Sequence, residues 1–183
     1  YTAVATTRCT LLSLPLGEGK VSMLDARDNQ TRSYLEIVDA LRQHGAAPKE
    51  DMQALWRRMV FNILISNTDD HLRNHGFLYR DAAGWRLSPA YDLNPVPLDI
   101  KPRILTTAIN EDDGTGSLDL AWAVAPYSEL IDTRGRAIAG AVGAAVVTWQ
   151  AEAARYGLTK QELTRMASAF DHADLRAASA QGR

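Results

Sequence analysis

From Thr31 onward the apolar positions recur with a helical period. Tyr34, Ile37, Val38 and Leu41 fall at three- and four-residue intervals, which predicts a helix over Thr31–His44. Gly45 stands where a left-handed C-terminal cap would sit. Pro48 can open a second helix as its first residue, because the N–H it lacks is not needed there. That helix is predicted over Pro48–Ser66, where Met52, Leu55, Trp56, Met59, Val60, Ile63 and Leu64 form one unbroken stripe, with Arg57 and Arg58 off it. So continuous a stripe must be buried along its length. Its burial fixes the direction of whatever follows Ser66.

Beyond the second helix the period changes. Phe77–Arg80 and Trp85–Ser88 are short runs joined by Asp81-Ala82-Ala83-Gly84, the signal of a hairpin with a four-residue loop. Pro89, Pro95, Pro97 and Pro102 predict an irregular connection as far as Ile104. A short amphipathic segment over Ser117–Ala125 centres on Leu118, Leu120 and Trp122. A long helix is expected over Arg134–Tyr156, packing closely through Ile138, Val142, Ala145, Val146, Trp149 and Ala153, with Gly157 to end it. Thr159-Lys160-Gln161-Glu162 is a capping box opening a further helix. Ala173–Arg183 has little to bury and is expected to fray.

The first thirty residues are expected to be irregular. Val4–Leu12 reads as a strand or a short helix, and Pro15, Gly17 and Gly19 then break the chain. Gly17-Glu18-Gly19-Lys20 departs from a phosphate loop, with Leu14 where the first glycine belongs and Val21 where Ser or Thr should follow the lysine; it reads as a solvated turn. The expected fold is mainly α with a small β-hairpin. Residues 1–183 are read as a single domain.

Composition narrows this picture. A chain of 183 residues, 46% of them hydrophobic, can bury a sizeable core. A net charge of −2 offers no global basic field for nucleic acid or a membrane surface. One cysteine, Cys9, excludes an internal disulfide framework and suits a reducing compartment, so a cytoplasmic location is expected. The longest apolar run, Ala137–Trp149, is too short to span a bilayer. No signal-peptide pattern opens the chain, and its start at Tyr1 fits a piece of a longer polypeptide. Glu111-Asp112-Asp113-Gly114 lacks the alternating ligands of a calcium loop and reads as a solvated turn.

The chemistry concentrates between Asn67 and Asp92. Asp69-Asp70-His71-Leu72-Arg73-Asn74 puts two carboxylates, a histidine and an amide into one loop, and the hairpin after it can return Asp92 to its side. Phosphoryl transfer needs a carboxylate to accept the proton of the attacking hydroxyl. It also needs an amide oxygen and a second carboxylate to hold magnesium against the phosphates. The offset from Asp69 to Asn74 is that of a kinase catalytic loop and selects Asp69 as the base. Asp70 is one residue out of register, and is expected to face solvent or to act from behind. Arg73 can offer a guanidinium to phosphate oxygens or be plain surface. Asn74 could instead satisfy local backbone, and Asp92 could be only the cap of a turn. A zinc site from Asp70, His71 and His75 lacks a cysteine or a spaced further ligand.

Asn67-Thr68-Asp69-Asp70-His71-Leu72-Arg73-Asn74 and Leu87-Ser88-Pro89-Ala90-Tyr91-Asp92-Leu93-Asn94-Pro95, with the helix carrying Trp56-Arg57-Arg58-Met59-Val60-Phe61-Asn62, resemble the HipA-like kinases in their C-terminal lobe. The resemblance implies a protein-kinase-like C-terminal lobe with the N-terminal lobe absent. It implies a bacterial ATP- and Mg2+-dependent Ser/Thr protein kinase, often the toxin of a toxin–antitoxin pair whose antitoxin binds DNA. Asp69 would be the base, with Asn74 and Asp92 as magnesium ligands. Asp69-x-His71-x-x-Asn74 also resembles the catalytic loop of phosphoinositide 3-kinase-like enzymes, in which the histidine can contact the transferring phosphate. Neither a phosphate-covering loop nor the lysine that engages the α/β-phosphates is recognisable, so this chain alone is expected to be inactive. The competing expectation is a non-catalytic lobe that binds an antitoxin-like, DNA-bound partner.

Overall fold

The computed structural model describes residues 32–181 and the backbone of two short strands, β1 (Ser13–Leu14) and β2 (Val21–Ser22), paired antiparallel. Val4–Leu12, with Cys9, and Gly17–Lys20 lie outside the described residues.

The striped helix organises the rest. α2 (Pro48–Leu64) buries Met52, Leu55, Trp56, Met59, Val60, Ile63 and Leu64 completely, as its period requires. α1 (Tyr34–His44) covers one side of it through Tyr34, Ile37, Val38 and Leu41. α3 (Leu118–Val124) and α4 (Asp132–Val146) cover others. Trp56 anchors α3 directly, its indole N–H donating to the Ala121 carbonyl at 2.8 Å, while its ring lies 5.3 Å from that of Trp122.

Two details of this layer depart from expectation. α1 starts at Tyr34, because Arg32–Ser33 instead forms β3, parallel to β6 (Thr107–Ala108). Gly45 is extended and not left-handed (φ −75°), since a bridge to Trp85 carries the chain straight on to Pro48. The hairpin forms as expected, β4 (Phe77–Tyr79) against β5 (Trp85–Leu87), with a 3-10 turn in its loop and Gly84 at φ +101°. It is tied to α2 by Asp51, a buried carboxylate that accepts from Arg86 Nε (2.9 Å) and from the Leu87 amide (3.0 Å).

The long helix predicted over Arg134–Tyr156 is broken. α4 ends at Val146 and α5 (Trp149–Arg155) leaves at 41° to it. The Thr148 hydroxyl donates back to the Ala145 carbonyl at 2.7 Å, the local bond by which Thr bends a helix. The break lets Trp149 stack on Phe170 at 4.2 Å. No single described helix is long and apolar enough to cross a membrane, although the bent pair together has the length and composition. Gly157 (φ +90°) ends α5, and Thr159 caps α6 (Lys160–Met166) with Glu162 as expected.

The C-terminal segment does not fray. α7 (Ala173–Ala180) packs along α4, burying Leu175 and Ala178. Few apolar residues suffice because Gly143 lets the two backbones meet. A Cβ there would stand 2.7 Å from the Ser179 nitrogen and 2.8 Å from the Ala178 carbonyl carbon. Polar bonds finish the junction. Arg103 joins Asp174 (2.7 Å) to the Ile63 carbonyl (3.1 Å), and Asp174 accepts from the Leu118 amide (2.8 Å). His172 uses both ring nitrogens, Nε2 towards the Leu64 carbonyl (3.1 Å) and Nδ1 accepting from the Leu175 amide (3.3 Å). That pattern needs the neutral ring. Burial, followed by the charge of Arg103, pushes its pKa below the ordinary histidine value.

Gly143→Val should destabilise the fold by about 1–3 kcal/mol, the range for overpacking, whereas Ala141→Val on the exposed face of α4 should stay within about 0.5 kcal/mol. Chemical denaturation measures both; equal costs would contradict the backbone contact. For His172, the unfolded chain binds the extra proton first. Its contribution is therefore intact above about pH 6.5 and is lost as pH falls below that value. His172→Asn, which can keep the cap, should flatten the stability–pH curve between about pH 7 and pH 5. An unchanged slope would remove His172 as its source.

Candidate active site

The loop after α2 is held by its own backbone and by the strand that follows the proline-rich segment. α2 ends at Leu64, two residues short of the predicted Ser66, which turns the chain with a left-handed φ of 54°. Its hydroxyl donates to the Ala169 carbonyl at 2.7 Å. Asn67 returns to Asn62 twice, through backbone (2.8 Å) and side chain (3.0 Å). The Thr68 carbonyl accepts from the Thr106 amide (3.2 Å) and hydroxyl (2.9 Å), and the Asp70 carbonyl from the Thr107 amide (2.9 Å). A 3-10 turn over Leu72–Asn74 then leads into the hairpin.

The two adjacent carboxylates have opposite surroundings. Asp70, expected at the surface or behind the site, is 1% exposed, so the surface reading is corrected. Tyr34 O–H donates to its Oδ2, and His75 Nε2 lies 3.0 Å from the same oxygen. The Tyr34 oxygen in turn accepts from Asn62 Nδ2 at 3.0 Å, and its ring meets His75 edge-on at 5.4 Å. Burial, reinforced by the negative charge of Asp70, holds the Tyr34 phenol well above its ordinary pKa, so it remains a neutral donor. Arg58, off the helical stripe, is half-buried close by and donates to the Ser88 carbonyl. Burial lowers its pKa, and the electrostatic influence of Tyr34 and Asp70 opposes that shift. Asp70 is therefore a held, internal carboxylate.

Asp69 faces outward, its side chain 64% exposed, with Lys101 Nζ 3.8 Å from Oδ1. Asn74 Nδ2 lies 3.4 Å from the Asp69 carbonyl, so the loop folds back with the spacing read from sequence. His71 is half-buried and its Nδ1 has no hydrogen-bond partner among the described residues. Arg73 is exposed. The hairpin closes where expected, the Ser88 amide donating to the Gly76 carbonyl at 2.9 Å. Tyr91 O–H then donates to the Arg73 carbonyl at 2.7 Å. That bond joins the residue before Asp92 to the residue before Asn74. Asp92 is exposed, with a left-handed φ of 56°, and one of its oxygens accepts from Asn94 at 2.6 Å.

Asn74 is buried and Asp92 exposed on the two segments that the Tyr91–Arg73 bond joins. An amide oxygen and a carboxylate are hard oxygen donors, the kind magnesium takes. Among the described residues no three His, Cys, Asp or Glu side chains gather as a metal-holding group, and His75 is spent on Asp70. Sequence reasoning missed Tyr34, Asn62, Tyr91 and Lys101 as parts of this neighbourhood, and considered His75 only as a zinc ligand, whereas it bonds Asp70. Asn62 did carry a signal. It follows Leu55 and Met59 at helical spacing, a polar residue on the buried stripe, and such a residue must find polar partners.

The family model described as HipA-like C-terminal domain matches residues 6–175. A Haemophilus influenzae protein named "Putative kinase" is 31% identical over 81 residues, 43% of this chain and 24% of that protein. "Putative kinase Y4dM" of Sinorhizobium fredii is 49% identical over 43 residues, 24% of this chain and 10% of that protein. Among solved structures, the Shewanella oneidensis complex of HipA, HipB and operator DNA contains a chain with the same fold (TM-score 0.62, 21% identity). The match covers 84% of this chain and 36% of that one. The matched part thus spans well under half the length of these relatives. With the family model covering nearly all of its length, this chain belongs to the HipA-like C-terminal domain family.

Proposed function

We propose that the chain is the catalytic-loop lobe of an ATP- and Mg2+-dependent HipA-like serine/threonine protein kinase. The observation that carries this reading is the Tyr91–Arg73 bond, which brings the segments bearing Asp92 and Asn74 together next to an exposed Asp69. Asp69 accepts the proton of a serine or threonine hydroxyl while that oxygen forms its bond to the γ-phosphorus and the bond to the ADP oxygen breaks. Its outward direction leaves room for a protein substrate. Asn74 and Asp92 would hold magnesium, which when bound neutralises charge on the phosphates. His71 and Arg73 lie on the same loop and are proposed to face the transferred group, with Arg73 as a phosphate donor.

A toxin role with an antitoxin-like DNA-binding partner is part of the proposal. It rests on the family and on the Shewanella relative, whose structure is described as a complex of HipA, HipB and DNA. The nucleotide-covering part would come from outside the matched region, as the relatives' greater length allows.

The test is γ-phosphate transfer by the polypeptide as its source cell makes it. Asp69→Ala should lower turnover by about 10²–10⁴-fold, the usual worth of a general base, and Asp92→Asn should abolish the transfer that added magnesium supports. Transfer that survives Asp69→Ala would sink the assignment. A wild-type protein that turns over no ATP, yet holds a protein partner stably, would favour the binding-lobe reading instead.

A further inference from the structure

A pair of adjacent carboxylates raises a question that the catalytic reading leaves open. They are neighbours in the chain, yet one is exposed and the other is almost wholly enclosed. Enclosing a carboxylate is costly unless donors replace its water. Asp70 obtains two at one oxygen, Tyr34 O–H and His75 Nε2, and neither is a permanent cation. An apolar residue of similar size would avoid that cost, so the network adds little net stability of its own. What it does provide is direction.

The grip on Asp70 comes from one small region acting on both ends of the residue. Tyr34, the first residue of α1, takes the side chain, while Thr107 in β6 donates its amide to the main-chain carbonyl. β6 is paired in parallel with β3, which runs directly into Tyr34. Asn62 on α2 steadies the Tyr34 oxygen and is itself held by Asn67 at the start of the loop. His75 closes the far end, one residue after Asn74. The loop from Asn67 to His75 is thereby anchored at its beginning, middle and end, with Asp69 turned outward.

We propose that Asp70 is a positioning residue of the transfer site, gripped by Tyr34, His75 and Thr107 so as to set the direction of Asp69 and Asn74. The proposal rests on the kinase reading for its consequence in turnover, but its structural half stands without it. Asp70 touches neither nucleotide nor substrate; it acts through the loop.

The experiment compares Asp70→Asn and Tyr34→Phe with Leu175→Ala, a cavity-forming change in α7, all in the polypeptide as the source cell makes it. Hydrogen exchange of the Asn74 and Thr107 amides reads the anchor without any catalysis. Both anchor variants should speed exchange there by about tenfold, the effect of one lost buried hydrogen bond, relative to amides in the middle of α2. In phosphoryl transfer they should lower kcat by about 10²-fold, the cost of misplacing a reacting group by an ångström, with KM for ATP little changed. Leu175→Ala should lower global stability while leaving loop exchange and kcat near wild type. Unchanged loop exchange in both anchor variants would overturn the proposal, as would equal loss of kcat in Leu175→Ala. If the wild type transfers no phosphate, the kinase reading fails, and loop exchange still decides whether Asp70 is the anchor.

Discussion

A carboxylate removed from water must be met by donors, and the Asp70 carboxylate is met by the Tyr34 hydroxyl and the His75 ring. Those three residues come from α1, from the loop and from the entry to the hairpin, so satisfying one charge ties three parts of the chain together. Asn62 and Asn67 extend the same network into α2. Leaving any member unpartnered would cost about 1–3 kcal/mol, a large share of the 5–15 kcal/mol by which a typical domain is stable. The donors on Asp70 hold the loop in the arrangement in which Asp69 is exposed.

The rest of the fold supplies the platform. α2 is wholly buried on its apolar stripe, and its C-terminal end is held from several directions. Arg103 reaches the Ile63 carbonyl, His172 the Leu64 carbonyl, and Ser66 the Ala169 carbonyl. Two of these bonds involve the segment leading into α7. That segment, ahead of α7 itself, braces the point where the loop begins. The hairpin is fastened to the other end of α2 through Asp51 and Arg86. One helix thus carries both anchorages, and the Tyr91 hydroxyl ties the irregular segment before Asp92 back to the loop at Arg73.

Much of this was legible in the residues. The α2 stripe, Pro48 at its start, the hairpin, the capping box at Thr159 and the end at Gly157 are local patterns with local causes, and they stand as read. The misreadings were tertiary. Gly45 is extended because it bridges Trp85, some forty positions away, and α7 is ordered because a glycine on another helix makes room for it. The bend at Thr148 was visible in principle, since a threonine hydroxyl can bond back into its own helix, but whether it does depends on Phe170 being there for Trp149 to stack on. Spacing singled out Asp69 over its neighbour. The fate of Asp70 needed Tyr34, whose sequence position says only that it is apolar and near a helix start.

The central claim is that these two neighbouring carboxylates face opposite ways. Modification of the native protein with a water-soluble carbodiimide and an amine, followed by fragment mass analysis, reads it directly. Asp69 should be labelled readily, and Asp70 should be protected until the protein is unfolded, after which both react. Labelling of Asp70 in the native state as fast as Asp69 would contradict the account, since the anchor that directs the loop would then not exist.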